Sequence, residues 1–165
     1  MKLLYVCYNN KGRSPSLEGY TRHFLDEYGV DGVDVDSAGV GVESIESLRE
    51  KSAYISRTTA RILAEDGIDM HDKTIKHMGE VEGDWDVVLA ADMHTLDIIH
   101  GRFPAFSGSS MLAKEFAEYK SGDMEIHGPY YHQDEVPPEE WTERKGYEIM
   151  LHEIRNVSRR IARMM

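Results

Sequence analysis

The sequence predicts an α/β fold with a mostly parallel sheet, read from three observations. Short apolar runs of strand length occur near residues 2–7, 33–39 and 85–91. Each is followed by a stretch with apolar residues at helical spacing, and strands alternating with helices build parallel sheets. Glycine or polar clusters punctuate the alternation. At 165 residues the chain has the length of one domain, expected to span 1–165.

The elements follow in order. Lys2 to Cys7 is nearly continuous in apolar residues, as in a strand buried on both faces. Asn9, Asn10, Lys11 and Gly12 end it. Ser14-Pro15 has the form of a helix start, Ser as cap and Pro at the first helical position. Leu17, Tyr20, Phe24, Leu25 and Tyr28 continue that helix, and Gly29 stops it. Val33 to Ser37, followed by Ala38-Gly39, is a second strand. Residues 44–66 read as one long helix carrying Ile45, Leu48, Ile55, Ile62 and Leu63, ended by Gly67. Trp85 to Ala91 is a third strand with Asp92 at its end, and Met93 to Arg102 a helix. The strand expected next has no clear signal in the turn-rich 103–110, and 111–119 reads as helix. Residues 120–138 hold three of the five prolines and no apolar period, the signature of a long functional loop. Residues 139–165 form a last amphipathic helix with Tyr147, Met150, Leu151, Ile154, Val157 and Ile161 on its apolar face.

Composition excludes several classes. Thirty acidic against nineteen basic residues give a net charge of −11, which disfavours nucleic acid and acidic membranes as partners. The C-terminal Arg155, Arg159, Arg160 and Arg163 read as cations complementing a helix C-terminus rather than as an anion site. A single cysteine, Cys7, forbids an intrachain disulfide and a four-cysteine zinc site, and a cytoplasmic location is expected. No apolar run approaches the ~18 residues of a membrane helix. His127 and His132 share the late loop, but no cysteine or His-Glu-x-x-His pattern joins them, so no metal is expected.

Chemistry concentrates in Cys7-Tyr8-Asn9-Asn10-Lys11-Gly12-Arg13-Ser14. A cysteine six residues before an arginine carries little alone, since eleven arginines in 165 residues fill a given position about once in fifteen. Here the pair straddles a strand-to-helix turn. In open α/β sheets ligands bind beyond the carboxyl ends of strands. Backbone N–H groups of a tight loop and a helix N-terminus form an anion site. Arg13 suits bidentate binding of two phosphate oxygens. The same field, with a hydrogen bond from Ser14, favours the thiolate of Cys7, the form that attacks phosphorus.

These residues carry a resemblance. Cys7 to Glu18 resembles the phosphate loop and following helix of the low-molecular-weight protein tyrosine phosphatases, which read strand, C-x5-R-S-P, helix, then a glutamate three residues after the proline. Ser37-Ala38-Gly39 resembles the end of that family's second strand, and Gly67-Ile68-Asp69 with His71 resembles the segment that supplies a histidine behind the loop. The resemblance spans the chain. It implies a three-layer domain with a four-stranded parallel sheet flanked by helices, no metal and no cofactor. It also implies loop-supporting roles for Asn10, Ser14, Ser37 and His71, and a pocket wall from Tyr130 and Tyr131. The expected substrate is a phosphotyrosine-containing protein or small aryl phosphate, with inorganic phosphate as product or inhibitor.

Two departures bear on activity. Where the family places its general acid, in Asp-Pro-Tyr, this chain has Gly128-Pro129-Tyr130-Tyr131. Substitute acids in the same loop are His127, Asp123, Glu125, His132 and Asp134. The alternatives are slow hydrolysis without a side-chain acid, a substitute acid, or a phosphotyrosine-binding module with vestigial turnover. An arsenate reductase shares this loop, but with one thiol it would depend on an external one. Gly12 replaces the second cysteine of some members, and Lys11 adds a cation to the loop. A catalytic Asp92 and a wall role for Tyr54 are weaker candidates.

Overall fold

In a computed structural model, which describes residues 1–131 and 133–165, the strands are β1 (Lys2–Cys7), β2 (Asp34–Gly39), β3 (Val87–Ala90) and β4 (Ser110–Leu112). They form one parallel sheet in the order β2-β1-β3-β4. The helices are α1 (Arg13–Tyr28), α2 (Val42–Arg49), α3 (Arg57–Glu65), α4 (Met93–Arg102), α5 (Pro104–Ser107), α6 (Ala113–Phe116) and α7 (Glu143–Met164).

Side chains of β1 alternate between faces, as the strand period requires. Leu3, Tyr5 and Cys7 join Leu17 and Phe24 of α1 and Ile154 and Val157 of α7 in one core. Leu4 and Val6 join Leu96 and Ile99 of α4 in a second. The uniformly apolar β1 is thus explained by helices on both sides of the sheet. Pairing sets Cys7 opposite Gly39 and Val6 opposite both Ala38 and Ala90, so three strand ends meet at one carboxyl edge.

Four elements differ from expectation. Residues 44–66 hold two helices, because 53–55 leave the helix to pair with 73–75: Ile55 N–H donates to Lys73 O (3.1 Å) and Ile75 N–H to Ala53 O (2.8 Å). The strand that 103–110 did not show is β4, Ser110–Leu112, whose last two residues, Met111 and Leu112, fall where a helix is expected. α7 begins at Glu143 rather than 139, where the Thr142 hydroxyl caps Lys145 N–H at 3.1 Å. At α1 the cap is Gly12, and Ser14 lies inside the helix with its hydroxyl turned elsewhere. Near the end of α7, Arg159, Arg160 and Arg163 lie over the rings of Phe24, Tyr119 and Tyr28, so these cations cover aromatic surface. Among the described residues no helix is long and apolar enough to cross a membrane.

Two glycines allow close approach. A Cβ on Gly39 would lie 2.6 Å from Tyr8 O and 3.1 Å from Asn10 N. One on Gly146 of α7 would collide with the Pro129 carbonyl. The first seats the loop after β1 on β2; the second seats the late loop on α7.

Ile154→Ala removes a fully buried side chain between α7 and α1, and should destabilise the protein by about 2–5 kcal/mol in urea unfolding with an unchanged slope. Acid should also destabilise. Arg49 holds the Glu80 carboxyl down from 4.5 to about 2. Burial alone would raise Asp36, but Lys73 and Lys76 override it and keep that carboxyl below its ordinary value. Both groups stabilise the fold above their ordinary values, and that share is lost as pH falls through the lowered ones. Urea midpoints are expected to be level down to about pH 5 and to fall from there toward pH 2.

Candidate active site

The loop 8–12 leaves the end of β1 and enters α1 at Arg13. Its carbonyls are turned outward onto neighbouring N–H groups: Val40 N–H donates to Cys7 O (3.0 Å), Gly41 N–H to Tyr8 O (2.9 Å) and Ser56 N–H to Lys11 O (2.9 Å). Among the described residues, the N–H groups of 8–12 have no hydrogen-bond acceptor. Such a concave run of donors at a helix start is an anion site.

Asn10 sets the turn. Its backbone is left-handed (φ 53°), a region asparagine tolerates better than most residues, and it is fully buried. Its amide nitrogen donates to Ser14 Oγ (3.0 Å) and Ser37 Oγ (2.9 Å), while its oxygen accepts from Lys76 N–H (3.0 Å). An amide nitrogen only donates, so both serines must accept from it and pass their own protons on. Ser37 passes its proton to Glu18 Oε2 at 2.7 Å. Ser14 has two acceptors, Cys7 Sγ at 3.0 Å and Ala38 O at 3.2 Å. A thiolate accepts only, so beside it the Ser14 hydroxyl points to sulfur.

Glu18 is fully buried and requires cations. Lys73 Nζ lies 2.6 Å from Glu18 Oε2 and 2.8 Å from Asp36 Oδ1, and Arg22 lies 3.1 Å from Glu18 Oε1. Lys76 also pairs with Asp36. His71 does not join this network: it is exposed and bonds Asp69 at 3.0 Å. Lys73, two residues further along the same segment, reaches it instead. Its sequence signal was the carboxylate Glu18 on the buried face of α1, which demands a partner cation.

Arg13 is anchored from behind by Asp92 and by the Ile126 carbonyl (3.0 Å), both through Nη1. Its Nε and Nη2 have no partner among the described residues. Burial alone would raise Asp92, but the Arg13 charge and the Thr95 hydrogen bonds override it and lower the carboxyl. Asp92 also caps α4, accepting from Thr95 N–H at 2.7 Å. Its role is therefore to orient Arg13.

The cleft above the loop is lined by Cys7, Lys11, Arg13, Gly128, Tyr130 and Tyr147, among others. Tyr8 and Asn9 also border it, and Ser44 fixes Asn9 with a 2.8 Å hydrogen bond. Burial at the cleft lowers the Lys11 ammonium below its ordinary value, and a bound anion would reverse that. Tyr130 forms a wall, with its hydroxyl donating to Glu143 at 3.1 Å. Tyr131 does not line the cleft: it stacks on His127 with centroids 3.4 Å apart. Tyr54 lies in a neighbouring groove.

The substitute acids are placed as follows. His127 Nε2 lies 2.5 Å from Asp123 Oδ2, and neither lines the cleft. Burial would raise Asp123, but hydrogen bonds from Glu125 N–H and His127 lower it, which suits an ion better than an acid. Glu125 accepts from Met93 N–H at 2.9 Å. Asp134 is exposed, and His132 lies outside the described residues. A Cβ on Gly128 would meet nothing within 4 Å.

Among the described residues two groups of side chains stand within metal-ligating reach of one another, Glu46-His77-Glu80 and Asp123-Glu125-His127. In the first, Arg49 already bridges Glu46 and Glu80. In the second, the Lys114 ammonium binds the carbonyls of Asp123 and Glu125. Neither arrangement favours a cation.

Comparison with known proteins agrees with this geometry. The low molecular weight protein-tyrosine-phosphatase PtpA of Staphylococcus epidermidis is 28% identical over 127 residues, covering 77% of each chain. A low molecular weight protein tyrosine phosphatase from T. tengcongensis shares the fold with a TM-score of 0.74 at 22% identity, over 100% of this chain and 99% of that one. So does the YwlE arginine phosphatase from Geobacillus stearothermophilus, with a TM-score of 0.69 at 24% identity, over 99% and 91%. The family model for low molecular weight phosphotyrosine protein phosphatase matches residues 2–163, and the chain belongs to that family.

Proposed function

We propose that the protein hydrolyses phosphotyrosine or aryl phosphate monoesters through a phosphocysteine, slowly, with no side-chain acid for the leaving group. The observation that carries this reading is the Cys7–Ser14 contact of 3.0 Å at the floor of a loop whose N–H groups have no acceptor among the described residues. The loop donors and Arg13 bind the equatorial oxygens. The Cys7 thiolate attacks phosphorus in line, the bond from phosphorus to the aryl oxygen breaks, and that oxygen leaves with its electron pair. Water then attacks the phosphocysteine, the sulfur–phosphorus bond breaks, and phosphate departs. As negative charge moves off sulfur and later returns, Ser14 turns its proton between Ala38 O and Cys7 Sγ.

Gly128 has no proton to give, so the leaving oxygen departs as an anion or takes its proton from water. Aryl oxides tolerate this, and alkoxides do not. One structural neighbour is named an arginine phosphatase, but Lys11 in this cleft would repel a guanidinium leaving group. The aryl class is favoured for that reason. A phosphotyrosine-binding module is the second reading, supported by the absent acid. Accumulation of phosphocysteine without steady phosphate release would establish it.

The test is turnover of aryl phosphates spanning leaving-group pKa. A steep dependence is expected for the natural protein, and a shallow one would overturn the acid-free mechanism. Gly128→Asp has open space for its side chain and should flatten the dependence, with a gain of tenfold or more on the poorest leaving groups, within the ~10²–10⁴ range of general acid catalysis.

Lys73 is read as a positioning residue. Lys73→Met leaves the buried Glu18 carboxylate with Arg22 as its one close cation beside the Ser37 hydroxyl, and should lower kcat about tenfold or more and weaken phosphate inhibition. Lys73→His should restore activity only while the imidazole is charged, so activity falls as pH rises through its raised pKa, somewhat above ~6.5. A Lys73→His profile identical to that of the natural protein would exclude the role.

A further inference from the structure

The cleft has an asymmetric rim. Several cations of the described residues already face a carboxylate, among them Arg13, Arg22, Arg49, Lys73, Lys76, Lys114 and Arg144. Lys11, Arg57 and Arg61 do not: among the described residues no carboxylate lies within ion-pairing distance of them. All three stand on the α3 side of the site. In a chain of net charge −11, cations gathered beside the site are informative. The acidic groups nearby have other direct partners: Glu65 pairs with Arg144 and meets the Arg61 charge only at longer range, Asp69 pairs with His71, and Glu143 accepts from Tyr130.

Arg57 and Arg61 line a groove of about 370 Å³ together with Ser52, Tyr54, Ile55, Ala60 and His71, while Lys11 lines the cleft itself. The groove adjoins the cleft through Ser56. Its N–H binds the Lys11 carbonyl of the phosphate loop (2.9 Å), and its hydroxyl binds Tyr147 Oη (3.2 Å), which lines the cleft. A small aryl phosphate occupies the cleft alone. A peptide carrying phosphotyrosine continues past it. Tyr54 (50% exposed) and Tyr130 (56%) offer apolar surface to such a chain on either side.

Resting on the phosphatase reading above, we infer that Arg57 and Arg61, with Lys11, form a subsite for acidic side chains beside the phosphotyrosine. The substrate class is then an acidic, extended phosphotyrosine peptide segment. The spacing fits. Arg57 and Arg61 are four residues apart on one helix, a rise of ~6 Å. Alternate side chains of an extended peptide share one face at ~7 Å, so two Asp or Glu residues at i and i+2 meet the two guanidinium groups.

The experiment compares kcat/KM for phosphotyrosine peptides with Asp-x-Asp, Asn-x-Asn or Lys-x-Lys placed on either side, using para-nitrophenyl phosphate as the peptide-free control. The natural protein should prefer the acidic peptide over the neutral one by about tenfold on one flank, since exposed ion pairs give about threefold each. Arg57→Gln/Arg61→Gln should abolish the preference and leave para-nitrophenyl phosphate turnover unchanged. Arg57→Glu/Arg61→Glu should invert it toward the Lys-x-Lys peptide. An acidic preference that survives charge reversal overturns the subsite, as does equal turnover of all peptides by the natural protein. Failure to hydrolyse para-nitrophenyl phosphate defeats the phosphatase reading instead. The subsite is then read from the affinities of the same peptides for the Cys7→Ser chain, with the same expected order and the same overturning result.

Discussion

A loop that binds a phosphate dianion must aim its N–H groups inward, and every carbonyl it thereby turns outward needs a donor elsewhere. Much of this molecule follows from that constraint. The carbonyls of Cys7, Tyr8 and Lys11 find donors in Val40, Gly41 and Ser56, so the segment after β2 and the start of α3 must both stand against the loop. Gly39 is required where the loop backbone rests on β2. Asn10 takes the left-handed turn that reverses the chain, and its three hydrogen bonds bind the loop to Ser14, Ser37 and Lys76. The price is a buried carboxylate, Glu18, which obliges Lys73 and Arg22 to reach inward.

The sequence made β1, the loop and α1 legible because their signals are local: an unbroken apolar run, a polar turn, then a period of 3.6. Cys7, Arg13, Asn10, Ser14 and Ser37 come together as their positions suggested. What stayed hidden depends on contacts distant in the chain. Ile45, Leu48, Ile55 and Ile62 resemble a single helix, and only the pairing of 53–55 with 73–75 breaks it. β4 has three residues, too few to show a period of two. His71 had the residue type that the resemblance implies, but in an extended segment reach is set by register, and Lys73 is the cation that arrives.

The acidic balance and the phosphate site are compatible because charge acts locally in salt. Fields from exposed carboxylates fade within ~10 Å at ordinary ionic strength. Inside that radius of Cys7, what counts is the inward N–H groups, Arg13 and Lys11. Arg13 itself is held by Asp92, which cancels part of its charge. On the proposed reading, an anion in the cleft meets the loop dipoles and Lys11 as well as one guanidinium. Lys11 lines the cleft, and Arg57 and Arg61 line the groove beside it, so positive charge is gathered on one side of the site.

The late loop keeps its shape without its acid. Its Pro129 carbonyl packs against Gly146 of α7, Tyr130 is tied to Glu143, and His127 is clamped between Asp123 and Tyr131. Arg13 takes the Ile126 carbonyl of the same loop as one of its anchors. These contacts position residue 128 at the cleft whatever its side chain, and a Cβ there meets open space. Residue 128 is thus a glycine held by an architecture that would aim a side chain at the cleft. On the mechanism proposed above, attack by Cys7 needs no proton from position 128. Only departure of the ester oxygen does. The burden falls on the leaving group, and it falls least on an aryl oxide, which bears its negative charge over the ring. On the proposed mechanism, substrate choice is consequently set twice: by the loop, which takes a phosphate monoester, and by Gly128, which favours an ester whose alcohol leaves unaided.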